Sequence, residues 1–243
     1  MLKRTSKSIA FLAVFSCMTI VFALILLKKR VYFFLIGKKF TSHEAHEIAT
    51  QWGKSLFKAI PGWKIKFKGL ENLAKAPKPS IYIANHESAT DILAIYLLDF
   101  QFRWLAKKEI FAFPLIGKAM KMSGYIPIKR EDKKSRQDAI KKCELSLENK
   151  VSVLFFPEGT RSSLGYPKKF KLGAFKLSKE KNYPIVPIAL KGAGGLLKKS
   201  SLSPSKATVK ISVLPAIYPH NYSSLETYTQ AAHDMICDEH KKL

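Results

Sequence analysis

Cysteine is scarce in this 243-residue chain: Cys17, Cys143 and Cys237 lie far apart. Three distant thiols build neither a disulfide framework nor a zinc site, and reduced thiols fit a protein that faces the cytosol. Acidic residues are scarce as well, 18 Asp and Glu against 42 Lys and Arg, for a formal charge of +24. An excess of that size attracts a polyanion, either nucleic acid or an anionic lipid surface. Residues 1–40 hold eight of the basic groups and no acidic one, but the remaining surplus is spread along the whole chain. Internal repeats and low-complexity tracts are absent too. The hydrophobic fraction of 47% is ample for one α/β domain with a small appendage.

One long uncharged run is present. Ile9 to Leu27 spans 19 residues, with Lys3, Arg4 and Lys7 before it and Lys28-Lys29-Arg30 after it. That length approaches what a helix needs to cross a hydrocarbon core of ~30 Å. A signal peptide is the rival reading, but Leu26-Leu27-Lys28-Lys29 offers no small-residue cleavage site, so an uncleaved anchor is expected. Val31 to Ile36 is a second apolar patch, too short to span and suited to the interface. The pair either crosses the bilayer or dips into one leaflet as a helical hairpin. Five basic residues follow the run and three precede it, which places the remainder of the chain on the cytoplasmic face of the cell membrane.

Beyond the anchor the pattern alternates. Thr41 to Ile60 repeats apolar residues at helical spacing and stops at Pro61-Gly62. Trp63, Ile65 and Phe67 alternate with lysines, as a strand with one wet face does. Further strands are expected at Ser80 to Ala84, Val151 to Phe156, Ile185 to Leu190 and Thr208 to Leu214, and helices at Ile92 to Leu98, Ser135 to Leu147 and Leu225 to His240. Lys198 to Lys206, rich in Ser, reads as a surface loop. The expected class is α/β, a mainly parallel or mixed sheet flanked by helices. Residues 1–60 would form the anchor and an amphipathic helix, and 61–243 the remaining domain.

Two segments carry chemistry. In Asn85-His86-Glu87-Ser88-Ala89-Thr90-Asp91 a histidine follows a buried strand, and a carboxylate stands five residues on at the mouth of a helix. Working groups of α/β sheets gather at such strand ends, and a histidine oriented by a carboxylate is a general base near neutral pH. On spacing alone, a capping histidine and a solvated first-turn acid explain the pair equally well. The sequence has no Gly-x-Ser-x-Gly elbow and no cysteine near His86, so the nucleophile is expected to be a substrate hydroxyl. The second segment, Phe155 to Ser162, turns from the most apolar strand to Glu158, Gly159, Thr160 and Arg161. Arginine and glycine-turn amides suit a phosphate, although a surface Glu–Arg pair in an ordinary loop reads the same.

Taken in order, His-x4-Asp, Lys107-x6-Pro114-x2-Gly117, Gly124-x-Ile-Pro-x-x-Arg130, Phe-Pro-Glu-Gly-Thr-Arg-Ser at 156–162, Phe170 to Phe175 and Val186-Pro187-Ile188 resemble the glycerolipid acyltransferase family. The likeness is greatest to its 1-acylglycerol-3-phosphate acyltransferases and covers about Trp63 to Pro215. It implies acyl transfer from acyl-CoA or acyl-carrier protein to the 2-hydroxyl of lysophosphatidic acid. It further implies that His86 and Asp91 are the catalytic dyad, that Lys107, Arg130 and Glu158 to Arg161 hold the acceptor phosphate, and that Val186, Pro187 and Ile188 wall the acyl site. Thr90 and Lys129 depart from the family pattern. Another lyso-lipid or glycerol 3-phosphate is the alternative acceptor, and an anionic-lipid or nucleic-acid binding module is the alternative class. Base-stacking platforms are not evident, which disfavours nucleic acid. No cofactor and no metal are expected: His43-x2-His46 lacks the spacing of a metal motif and lies on a helix that reads as exposed. His220, His233 and His240, in or near the last helix, are expected to point into solvent with no further role.

Overall fold

The structure, a computed structural model, describes residues 2–162, 165–197 and 202–243. Among the described residues, fifteen α-helices and β-strands follow in order: α1 (Leu2–Leu35), α2 (Ser42–Ala59), β1 (Trp63–Lys68), α3 (Leu70–Lys75), β2 (Ile81–Ala84), α4 (Asp91–Tyr96), β3 (Phe102–Lys107), α5 (Ile116–Met122), β4 (Ile126–Ile128), α6 (Lys133–Glu148), β5 (Ser152–Phe155), α7 (Gly173–Lys181), β6 (Ile185–Lys191), β7 (Ala207–Val213) and α8 (Leu225–Lys242). The strands form one sheet in the order β1-β7-β6-β2-β5-β3-β4, parallel at every pair but β6–β7. Of the expected loop at 198–206, residues 198–201 lie outside the described residues, and Pro204 bridges to Leu197.

Helices cover both faces of the sheet, and this is why the central strands are apolar throughout rather than alternating. Tyr82, Leu154, Val186 and Ile188 point toward α2 and α4, whereas Ile81, Ile83, Val153, Ile185 and Ala189 point toward α6, α7 and α8. Each fully buried side chain of this size stabilises the fold by roughly 1.5–3 kcal/mol. The alternation turns a short strand into a two-sided wall.

The amphipathic segment becomes α2, opened by a capping box in which Thr41 accepts from the His43 amide and Glu44 accepts from the Thr41 amide. Gly53 lets α2 approach α4 closely, because a Cβ there would lie 2.4 Å from the Tyr96 ring. The first helix departs from expectation. Lys28-Lys29-Arg30 does not interrupt it: α1 runs unbroken through Leu35, about 50 Å at 1.5 Å per residue, and takes in most of the second apolar patch. By length and composition Thr5–Leu35 can cross a membrane. Yet Phe11, Phe15, Met18, Phe22 and Leu26, one stripe at helical spacing, pack onto Trp52, Trp63, Ala45 and Ile48. Ile9, Leu12, Ile20, Val21, Leu24 and Leu27 remain exposed on the other side.

His46 also corrects the sequence reading. It is buried, not exposed. Its Nε2–H donates to the Phe100 carbonyl (3.0 Å), so Nδ1 accepts from the Tyr125 hydroxyl (2.9 Å), which in turn receives the Tyr96 hydroxyl proton (2.8 Å). The chain of donors is complete only with a neutral ring. Burial accordingly pulls the His46 pKa from 6.5 down to about 4. The unfolded chain therefore binds a proton that the folded one refuses, and stability present above pH 6.5 is lost as pH falls toward 4. The full loss is of the order of ~3 kcal/mol. Thermal unfolding in detergent should show a lower midpoint at pH 5 than at pH 7.5, and His46→Gln should narrow that gap. An equal gap in the variant would assign the pH sensitivity to other groups.

Candidate active site

Asn85 ends β2 by bonding twice to the neighbouring strand. Its amide donates to the Leu190 carbonyl (2.8 Å), and its oxygen accepts from the Leu190 amide (2.7 Å). With the strand end so fixed, the chain turns through His86 to Asp91, the first residue of α4. Asp91 is fully buried and its Oδ2 collects three donors: His86 Nδ1–H at 2.6 Å, the Glu87 amide at 2.8 Å and the Ser88 amide at 3.0 Å. Burial pushes the Asp91 carboxyl above its ordinary value, opposed by the His86 and Ser88 bonds. Nδ1 is committed to Asp91, so Nε2 is the nitrogen that can exchange a proton with a substrate.

Thr90, an unusual residue for its place, is turned inward: it is buried with its hydroxyl against Ser88 Oγ (3.0 Å) and the Ala193 carbonyl (3.1 Å). The other departure, Lys129, is exposed.

The loop after β5 closes over the same histidine. Phe156 stacks on the His86 ring with centroids 4.3 Å apart. Glu158 is buried, and its two oxygens accept from backbone amides, Oε1 from His86 (2.7 Å) and Oε2 from Lys168 (3.0 Å). Burial raises the Glu158 pKa while those amides oppose the rise. The Ser162 amide donates to the His86 carbonyl at 2.7 Å. Gly159 takes φ +73°, and a Cβ there would meet the Lys171 side chain at 2.8 Å.

The expected phosphate residues lie at one edge of the sheet. His86 follows β2, Glu158 to Arg161 follow β5, Lys107 ends β3, and Arg130 stands two residues beyond β4; these four strands are adjacent and parallel. Arg130 and Gly159 share a groove with Phe156, Lys133, Lys134 and Lys171. Burial lowers the Arg130 pKa, the Glu131 carboxylate opposes the fall, and Arg161 is near enough for its charge to add to it. Thr160 and Arg161 are exposed, as is Lys107, whose amine faces Glu109 at 3.9 Å. Val186, Pro187 and Ile188 are not brought to this edge. They are buried within β6, Val186 and Ile188 on the α2–α4 face.

One partner escaped the sequence reading. His240 on α8 is buried rather than surface-exposed, and its Nε2 lies 3.0 Å from Glu87 Oε1. The signal was present: Tyr228, Ala232, Ile236 and His240 recur every four residues along the buried stripe of α8. His220 is exposed and His233 partly so.

The Acyltransferase family model matches residues 64–191, more than half of the chain, and the chain belongs to that family. It is 40% identical over 156 residues to the chloroplastic 1-acyl-sn-glycerol-3-phosphate acyltransferase of Arabidopsis thaliana, covering 64% of this chain and 43% of that one. Over 218 residues it is 31% identical to the 1-acyl-sn-glycerol-3-phosphate acyltransferase of Saccharomyces cerevisiae, covering 86% and 69%. The chain spans less than half the length of the plant relatives from Arabidopsis and Brassica napus. The crystal structure of a 1-acyl-sn-glycerophosphate acyltransferase from Thermotoga maritima shares the fold, with a TM-score of 0.78 at 20% identity over 98% of this chain and 97% of that one.

The Glu158 carboxylate is consumed by backbone amides, which separates loop positioning from acceptor binding. Glu158→Gln sets an amide group against one backbone N–H and should cost about 1–3 kcal/mol of stability. Steady-state kinetics should then show a lower kcat and a raised acceptor KM together with the lost stability; a raised KM with kcat and unfolding midpoint unchanged would mean that Glu158 meets the acceptor directly.

Proposed function

We propose that the protein transfers a fatty acyl group from acyl-CoA or acyl-carrier protein to the 2-hydroxyl of lysophosphatidic acid, giving phosphatidic acid. The observation that carries this reading is the 2.6 Å His86–Asp91 pair, open at Nε2, on a sheet edge lined by cations. The names of the relatives support the substrate. His86 Nε2 takes the proton of the acceptor hydroxyl as its oxygen attacks the thioester carbonyl. Asp91 stabilises the imidazolium so formed. Collapse of the tetrahedral adduct breaks the carbon–sulfur bond, and the imidazolium returns its proton to the leaving thiolate. Arg130, Arg161 and Lys107, with the amides of Gly159 and Thr160, hold the acceptor phosphate by charge-assisted hydrogen bonds. Glu158 shapes that turn from within.

In this reading the end of the acyl chain points toward a small apolar cavity of about 70 Å³ between α1, α2, α4 and α5, lined among others by Phe22, Ala49, Trp52, Ile116 and Met120, which holds only a few methylenes. The helix α4 begins at Asp91 and ends at Tyr96 in that cavity wall, so about 8 Å of helix rise separates catalytic turn from cavity. Val186 and Ile188 do not line that cavity; they are packed into the core on the same face of the sheet. One stripe of α1 is committed to the domain, so α1 rests in the cytoplasmic leaflet of the cell membrane on its exposed apolar side, and the surplus of basic groups faces anionic lipid.

Acyl transfer to lysophosphatidic acid should vanish in His86→Ala while folding and membrane binding persist; retention of most activity would sink the mechanism. Arg161→Ala should raise KM for lysophosphatidic acid several-fold and leave donor KM unchanged. An assay across lyso-lipids and glycerol 3-phosphate reads the acceptor directly, and preference for an acceptor without phosphate would overturn the headgroup assignment.

A further inference from the structure

The catalytic turn is braced from behind by the last helix of the chain. Glu87, between His86 and Ser88, has its carboxylate nearly buried and its oxygens divided between two elements. Oε2 accepts from the amides of Gly192 (2.9 Å) and Gly194 (3.3 Å), in the turn after β6. Oε1 accepts from His240 Nε2 at 3.0 Å, across 153 residues of sequence and from outside the 64–191 segment matched by the family. His240 is 3% exposed, and its Nδ1 finds no partner among the described residues. The ring thus gains its one hydrogen bond through Nε2, and that bond is to Glu87.

The end of α8 is itself pinned. Lys191 Nζ donates to the His240 carbonyl (3.0 Å), and Lys68 pairs with Glu239 at 2.7 Å. The brace therefore runs from a fixed helix end to the Glu87 carboxylate. From there it passes through the same residue's amide to Asp91 Oδ2 at 2.8 Å and so to His86 Nδ1 at 2.6 Å. Rotation of Glu87 would move the amide that helps to orient Asp91.

We propose that His240 is a positioning residue for acyl transfer, holding Glu87 so that the Glu87 amide and Asp91 keep the His86 ring in its working orientation. This rests on reading His86 and Asp91 as the dyad. The loss of such a brace displaces a general base by a fraction of an ångström to an ångström, which lowers turnover by between about tenfold and a hundredfold. Substrate contacts are untouched.

Three variants, assayed as full-length protein in phospholipid–detergent mixed micelles with lysophosphatidic acid and an acyl-CoA, test it. His240→Phe keeps a ring and removes the donor; kcat per folded molecule should fall at least tenfold while both KM values stay within about twofold. The acid limb of the kcat–pH profile should move to lower pH, because a loosened Asp91 stabilises the imidazolium less. His240→Gln, whose side-chain amide reaches the position of Nε2, should recover most of the turnover and restore the profile. Wild-type kcat per folded molecule in His240→Phe would overturn the proposal, as would an equal loss in His240→Gln. Should His240→Phe not fold, Glu87→Gln gives the second reading: its kcat must fall with unchanged KM, and unchanged kcat refutes the brace. If His86→Ala stays active, the dyad itself fails; if it is dead and the His240 variants are normal, the positioning role alone fails.

Discussion

Three donors converge on Oδ2 of Asp91: the His86 ring and the amides of Glu87 and Ser88. A carboxylate removed from water loses its solvation, and convergent donors are what keep it charged and fixed. The arrangement costs stability, since burial raises the Asp91 pKa in spite of them. In return the imidazole has one tautomer and one orientation. Neighbouring bonds serve the same geometry. Asn85 fixes the strand end to Leu190, Glu158 and Ser162 grip the peptide groups on either side of His86, and Phe156 lies against its ring.

Topology then determines what surrounds this turn. Parallel strands deliver their carboxyl ends to one edge, so residues far apart in sequence arrive beside His86 without a dedicated scaffold. Arg130 lies near enough to Arg161 for their charges to act on each other, and the field of a chain at +24 attracts a polyanionic surface. An exposed apolar face on α1 meets the same need from the other direction, since it places the domain at lipid.

Much of this was legible in the residues. The central strands announced burial by their unbroken apolar runs, and the Thr41 to Ile60 helix announced its apolar stripe and its stop at Pro61-Gly62. The dyad was legible only in company: five residues between a His and an Asp are ambiguous until the downstream motifs follow in order. What the sequence hid has a common cause. His46, His240 and Glu87 are polar residues whose partners are supplied by tertiary structure, from 54 to 153 positions away. A histidine on a helix reads as surface unless its position in the apolar stripe is counted. The continuity of α1 was hidden for a different reason, because Lys28-Lys29-Arg30 mimics a boundary while helical propensity carries through it. Glu158 looked like an acceptor-site residue beside Arg161, but its carboxylate points into the fold and takes two amides.

Acyl transfer by Asp91→Asn is the most direct measure of the dyad. Asparagine can keep an oxygen where Oδ2 accepts its two backbone amides and sets its amide group where Oδ1 has no partner among the described residues, so the fold should survive with an unchanged unfolding midpoint. The imidazolium loses its counter-charge, and the single-turnover rate with lysophosphatidic acid should fall by about three to four orders of magnitude. A folded Asp91→Asn protein that transfers acyl groups within a few-fold of the wild-type rate would contradict the account.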